Sequence, residues 1–348
     1  MTNEEETKKI SEFIKNNNIP IVQVDENRGY WLVRTQSGEY HNEFYFDNFV
    51  AIDWNEFSDT KLFEKTEKET VVELIHKKYP DNKQPGLIYN QIKRFLYEMK
   101  IGDVVMIPSE NTSHISFGIV DSEVYFDRVS DTAIDEGKCP FIKRRNVKWI
   151  KTVNRDKLDP NLYKMMNSRH TINNANDYAE FIDRTLYSFY VKGNKAHLIL
   201  NIKKDGKIPA IGVARMVDSI VDLIPYLNEI LPGSNFQEDD IEMKATFNSP
   251  GIIDLGGIFL LIMGAGMVLH YIVGGKYEAA LKTDGKSIDT KLKGETDGLL
   301  EKILKFKKEN PEKVKESSQN IDKQLKKVNA DIPAELKGSQ QTADYDNK

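Results

Sequence analysis

Cysteine is nearly absent: Cys139 is the one thiol in 348 residues. That excludes an internal disulfide and any metal site built from several cysteines. Histidine is sparse too. His41, His76, His114, His170, His197 and His270 are scattered, with no HxH or HExxH spacing. GxSxG, Walker A, GxGxxG and CxxC patterns are also missing, so no hydrolase, phosphate-cradling or redox motif stands out. Basic residues are not in excess, since 49 Lys and Arg against 54 Asp and Glu leave a net charge of −5. Bulk electrostatics therefore give no polyanion-binding footprint. The opening MTNEEETKKI lacks the basic and apolar regions of a secretory signal. A cytoplasmic location is expected, with no cofactor and no metal.

One apolar run breaks this polar composition. Residues 255–273, LGGIFLLIMGAGMVLHYIV, carry no formal charge in a chain that is 30% charged. A helix of about 20 such residues rises roughly 30 Å, enough for a bilayer's hydrocarbon core. Gly257 and Gly264 lie seven positions apart and could form a helix–helix seam in a homo-oligomer. The flanks argue against a simple span. Lys276, Lys282, Lys286, Lys291 and Lys293 follow the run, whereas Glu238, Asp239, Asp240, Glu242 and Asp254 precede or open it. The positive-inside tendency puts the C-terminal side in the cytoplasm, yet no export signal carries the preceding residues across. Three outcomes stay open: a span with inner-membrane association, a re-entrant bend at Gly264-Ala-Gly266, or an element buried in a soluble fold.

The rest of the chain reads as an α+β protein with two modules and a tail. The first module is expected over 1–155, with a helix at 3–16 and strands at 30–33, 49–52, 104–108, 115–120, 123–127 and 147–153. Helical spacing marks 60–78 and 86–99. The second α+β module is expected over 158–250, with helices at 175–190 and 209–231, the latter kinked at Pro225. Strands are expected at 196–202 and 241–247. The apolar segment occupies 251–275. A Lys-rich tail follows over 276–348, with largely solvated helices at 297–309 and 312–328 and a disordered end.

Several motifs in the first module share one order. Tyr30-Trp-Leu-Val-Arg34 precedes Gly38, Tyr40 and Phe44, and Phe49-Val-Ala-Ile-Asp-Trp54 follows. Gln91-Ile-Lys-Arg-Phe95, Met99-Lys-Ile-Gly-Asp-Val-Val-Met-Ile-Pro108 and Phe117-Gly-Ile-Val120 complete the pattern. Across about 28–153 this resembles the EVE-like branch of the PUA superfamily, found beside Mrr-type restriction nucleases and other bacterial defence proteins. The resemblance implies a small, strongly bent sheet whose cleft accepts a flipped or modified base, or a related nucleotide. Such a cleft needs aromatic faces and a few polar edge readers. The candidates are Trp31, Arg34, Tyr40, Asn48, Asp53 and Trp54, with Phe46 and Phe49 as further rings. Asp53 departs from the family pattern, which carries Gly before this Trp. A carboxylate there would disfavour phosphate and favour an amino-bearing edge. Lys93, Arg94, Lys143, Arg144 and Arg145 are candidate phosphate contacts.

Catalysis finds little support. Glu242-Met-Lys244 is an ExK triplet on an expected strand, but the preceding strand at 196–203 supplies no second acid for a metal-dependent nuclease. Two functions follow from the resemblance. One is an antiphage defence sensor and effector that binds a base, nucleic acid or nucleotide and acts at the membrane with a partner defence protein. The other is a soluble DNA- or nucleotide-binding accessory subunit of a restriction-type system.

Overall fold

The computed structural model describes residues 21–203, 209–230, 235–246, 251–259, 261–266 and 305–333. The chain forms two compact units, one of residues 27–186 and one combining 1–26 with 187–348. Both are mixed α+β. The expected helix at 3–16 lies outside the described residues.

The 27–186 unit is built on a curled sheet of order β3-β7-β5-β4-β2-β8, with β6 beside β7. Its strands are β2 (Tyr30–Val33), β3 (Phe49–Ile52), β4 (Val104–Pro108), β5 (His114–Val120), β6 (Tyr125–Phe126), β7 (Lys143–Asn154) and β8 (Ile172–Asn174). β2 runs parallel to β4, and β4 to β5 to β7 are antiparallel. β2 and β3 are buried at every position, which is why they read as unbroken apolar runs.

Two of the signature motifs have direct physical reasons. Gly118 sits at a register shift in β5, and a Cβ there would lie 2.3 Å from Val147 Cγ1 and 2.7 Å from Trp149 Cε3. The bare glycine lets Trp149 cross the sheet and donate from Nε1 to the Phe44 carbonyl at 3.1 Å. Gly102 turns the chain with φ +91°, and Asp103 then gathers three donors: Gly29 N at 2.8 Å, Trp31 Nε1 at 2.8 Å and Lys100 N at 2.9 Å.

Helices cover both faces of this sheet. On one face α1 (His41–Phe46), α2 (Thr60–Lys65), α3 (Lys68–Lys78) and α4 (Pro85–Lys93) set Phe44, Phe63, Val71, Ile75, Ile88 and Ile92 against Trp31, Val33, Val105 and Ile107. A π-helical turn, Arg94–Glu98, extends α4. After α5 (Asp131–Asp135), α6 (Asn161–Met166) and α7 (Ala179–Leu186) bring Leu162, Met165, Met166 and Ile182 against Tyr30, Leu32, Met106 and Phe117 on the other face. That packing moves the boundary from the expected 155 to 186. The sheet's second apolar face needs those helices.

In the other unit the sheet order is β1-β9-β10-β12-β11, with β13 also on β10. The strands are β1 (Val22–Val24), β9 (Phe189–Lys192), β10 (Lys195–Ile202), β11 (Ile241–Thr246), β12 (Gly251–Ile258) and β13 (Ala330–Asp331). β1 pairs in parallel with β9, so this amino-terminal strand belongs here and not with the first module. The expected helix at 175–190 is shortened because 189–192 forms a strand. The kinked helix is instead two, α8 (Ala210–Val221) and α9 (Ile224–Ile230), and Pro225 takes the first turn of α9, where its missing N–H costs nothing.

The described residues of the apolar run are divided between two elements. The run's first residues end β12, which pairs with β10 on one side and β11 on the other. Residues 261–266 are helical and buried. Leu255, Phe259, Leu261, Ile262 and Met263 join the core with Leu198, Leu200, Met216 and Leu227. Among the described residues no helix is long and apolar enough to cross a membrane. Residues 267–273 lie outside them. A central strand followed by a buried helix reads as one apolar stretch in sequence, because both elements are buried on more than one side.

The oligomer seam is likewise corrected. A Cβ on Gly257 would meet the Asp240 carbonyl at 2.4 Å, and one on Gly264 would meet Leu227 Cδ2 at 2.8 Å. Both glycines make room for this chain's own packing, one in a strand and one in a helix. The tail helix α10 (Pro311–Val328) is not merely solvated. It buries Val314, Ile321, Leu325 and Val328 in the same core. A Cβ on Gly212 of α8 would stand 2.8 Å from Val328, so α8 and α10 approach closely there.

Candidate ligand-binding site

β3 ends at Ile52, and the chain then turns through Asp53 and Trp54. Trp54 has φ +65°, a left-handed conformation costly for a bulky side chain. Two contacts hold the turn. The Trp54 carbonyl accepts from Phe57 N at 2.9 Å and from Lys143 Nζ at 2.6 Å. Asn55 then straps the turn to the next segment, donating to the Pro140 carbonyl at 2.9 Å and accepting from Ile142 N at 3.1 Å. Lys143 reaches this place because β7 pairs residue 143 with Ile52.

Around the turn stand Tyr40, Phe141, Tyr79 and Glu56. Tyr40, at the N-cap position of α1, meets Phe141 edge-on with ring centroids 5.4 Å apart. Tyr79 donates from its hydroxyl to Glu56, which also pairs with Lys78 at 3.3 Å. The Tyr40 phenol is raised by burial and then by Glu39, Cys139, Glu43 and Asp53. Burial, Glu56 and Asp53 raise Tyr79. Burial pushes the Cys139 thiol up to about 12, so it is no nucleophile at neutral pH. The negative charge of Asp53 thus reaches several groups of the cluster.

Lys143 is fully buried, and desolvation lowers its amine to about 8 against the opposing pull of Asp53 and Glu56. Because the folded value lies below the unfolded 10.5, the unfolded chain binds more protons between these limits. The cost of the buried charge is present below about pH 8 and is relieved as pH rises towards 10.5. The unfolding free energy of the wild type should therefore gain on that of Lys143→Met between pH 7 and 10, by up to about 3 kcal/mol. Urea titrations at several pH values measure this, and a constant gap between the two proteins would refute it.

Of the six expected cleft residues, Tyr40, Asp53 and Trp54 converge here. Trp31 does not. It is a core residue, 3% exposed and bonded to Asp103. Phe49 is also core, whereas Phe46 is 69% exposed. Arg34 donates to the carbonyls of Met166 and Ser168 and so holds the loop after α6. Asn48, exposed with φ +58°, turns α1 into β3.

The basic candidates face a larger correction. Lys93 is exposed and Arg94 half-buried, but Lys143, Arg144 and Arg145 point into the fold. Arg144 lies over the Phe49 ring at 4.3 Å, bonds the carbonyls of Phe141 and Cys139, and pairs with Asp127 at 3.0 Å. Arg145 bonds the carbonyls of Phe95, Leu96 and Ser122 at 2.9, 3.0 and 3.0 Å. These three are anchors for backbone carbonyls and not phosphate contacts. The sequence held a signal for two of them. Val147 and Trp149 face inward on β7, and a period of two puts 143 and 145 on that same face. Tyr79, Glu56 and Asn55 carried no such signal, since tertiary pairing alone brings them to the turn.

Among the described residues no group of three His, Cys, Asp or Glu side chains is placed to hold a metal ion. In the other unit, β12 does put Asp254 opposite Lys244 of the ExK triplet, but Asp254 is taken up by His197 Nδ1 at 3.0 Å.

The family described as Domain of unknown function (DUF8426) matches residues 30–190. That stretch is nearly the 27–186 unit, so the match follows a structural boundary. No curated protein matches the chain.

Proposed function

We propose that the 27–186 unit is a base reader of the EVE-like, PUA-superfamily kind, binding a modified base, nucleic acid or nucleotide at the Asp53–Trp54 turn. The observation that carries this reading is the turn itself. A tryptophan at a strand end has its backbone in a strained conformation, its carbonyl held by a buried lysine, with an exposed aspartate next to it in the chain and a half-buried tyrosine in the same cluster. Left-handed backbone at a non-glycine residue costs of order 1–3 kcal/mol and concentrates at binding sites. Stacking on Trp54 would supply affinity, and polar groups beside it would read the base edge.

The role that fits this reading is a DNA- or nucleotide-binding accessory subunit of a restriction-type defence system. It is favoured over a membrane effector because residues 251–258 form a strand and 261–266 a buried helix.

Calorimetric titration of the full chain with oligonucleotides carrying plain or modified cytosines tests the proposal. Trp54→Ala should weaken binding about tenfold or more, as expected for loss of one base–aromatic stack. Equal affinity of the variant and the wild type, or no binding by either, would count against it.

A further inference from the structure

In the unit of residues 1–26 and 187–348, one face of the sheet packs on the core, and alternate residues of the same strands stand on the other face. A single cross-strand row on that second face runs Tyr190, His197, Gly256, Glu242, from β9 through β10 and β12 to β11. Gly256 is the gap in the row: a Cβ there would crowd His197, at 3.3 Å from both Cε1 and Nδ1. The bare glycine lets the imidazole lean over β12 to Asp254. His197 Nδ1 stands 3.0 and 3.2 Å from the two carboxylate oxygens of Asp254, whose side chain is 1% exposed. Tyr190 stacks on the imidazole, with ring centroids 4.6 Å apart and planes 7° apart.

The carboxylate accepts the Nδ1 proton, and that fixes the tautomer with a lone pair on Nε2. The His197 side chain is 16% exposed, and among the described residues no group bonds its Nε2. An oriented histidine with an open Nε2 has the form of a general base. With no hydroxyl or thiol of the described residues bonded to it, the proton it removes arrives from outside the protein. Lys195 and Lys244, both exposed, lie in the rows on either side, and Glu242 is paired with Lys195 at 3.2 Å. Cations flanking a base suit an anionic ester that carries its own hydroxyl.

We propose that His197 is the general base of an RNA-cleaving site, held by Asp254 as its positioning residue, and that it acts on a ribose 2′-hydroxyl. Nε2 takes the 2′-hydroxyl proton, the O2′–P bond forms and the P–O5′ bond breaks. The imidazolium returns its proton through water to the departing 5′-oxygen, so no co-reactant is consumed. The products are a 2′,3′-cyclic phosphate and a 5′-hydroxyl. Lys195 and Lys244 offset the charge gathering on the phosphoryl oxygens. The site lies outside the 27–186 unit and does not depend on base reading there.

The experiment incubates the full chain with a fluorescently labelled single-stranded RNA and with its all-DNA counterpart. The expected result is cleavage of the RNA alone, with cyclic phosphate and 5′-hydroxyl ends identified by mass spectrometry. His197→Ala should slow cleavage about 100-fold or more, the range for removing a general base. Free imidazole should restore much of that loss, since truncation opens a ring-sized space beside Tyr190 and Gly256. Asp254→Asn would donate to Nδ1, which moves the ring proton to Nε2 and removes the base. Its rate should fall as far as that of His197→Ala, and the rise of rate with pH should disappear. Intact RNA with the wild type, equal cleavage of the DNA, or full rates in both variants would overturn the inference and leave base reading untouched. Should the urea midpoint show Asp254→Asn to be unfolded, imidazole rescue of His197→Ala decides alone, and no rescue overturns the inference.

Discussion

Replacing Arg145 with alanine is expected to lower the unfolding free energy by about 3–5 kcal/mol, the range for breaking a buried, hydrogen-bonded charge network. The guanidinium is 1% exposed and donates to three carbonyls. Two of these, Phe95 and Leu96, lie in the π-helical turn Arg94–Glu98. Carbonyls at a helix end have no partner within the helix, and here one side chain from β7 supplies it. Truncation leaves two buried acceptors and one half-buried acceptor poorly satisfied, and a void the size of an arginine stem beside Phe95. Arg145→Lys should recover little, since a single ammonium cannot reproduce a planar fork spread over two chain segments. Urea titration of the three proteins measures the effect. A midpoint for Arg145→Ala within experimental error of the wild type would reject this account of how the β7 strand is tied to the α4 extension.

Asp103→Ala should cost about 3 kcal/mol, roughly one for each of three donors, one buried and two part-buried, left without this acceptor. Those donors are Gly29 N, Trp31 Nε1 and Lys100 N. The carboxylate joins the start of β2 to the turn before β4, two strands that pair in parallel and so have no tight hairpin to set their register. Gly29 belongs to the same arrangement, because a Cβ there would lie 2.6 Å from Asp103 Oδ2. Asp103→Asn should lose less, keeping one acceptor oxygen while presenting an amide to the other donors. The discriminating measurement pairs urea stability with nucleoside affinity. Asp103→Ala should lose the first and retain the second in the folded fraction, since Asp103 holds the sheet and not the Asp53–Trp54 turn. A fall in affinity at full stability would place Asp103 in the site.

These residues show what local sequence can carry. The strands at 30–33, 49–52, 104–108 and 241–246 were legible because their apolar and β-branched residues have no other stable use. The Gly-Asp and Phe-Gly-Ile motifs were legible as positions. Their reasons, an acceptor for three donors and a gap for Trp149, depend on partners far away in the chain. The candidate site was half legible. Trp54 and Asp53 stood out at a strand end, whereas Trp31 has the same composition cue and lies in the core.

What the sequence alone determined is the α+β class, most of the strands and the exclusion of an internal disulfide. These follow from periodicity and composition, which act over a few residues. Tertiary structure decided which unit β1 joins, where 155 gives way to 186, whether Lys143, Arg144 and Arg145 turn in or out, and how residues 251–259 and 261–266 are used. Each of those outcomes is set by pairing and burial against distant segments. A basic residue is exposed until a carbonyl needs it, and an apolar run is a span until neighbouring strands and helices bury it.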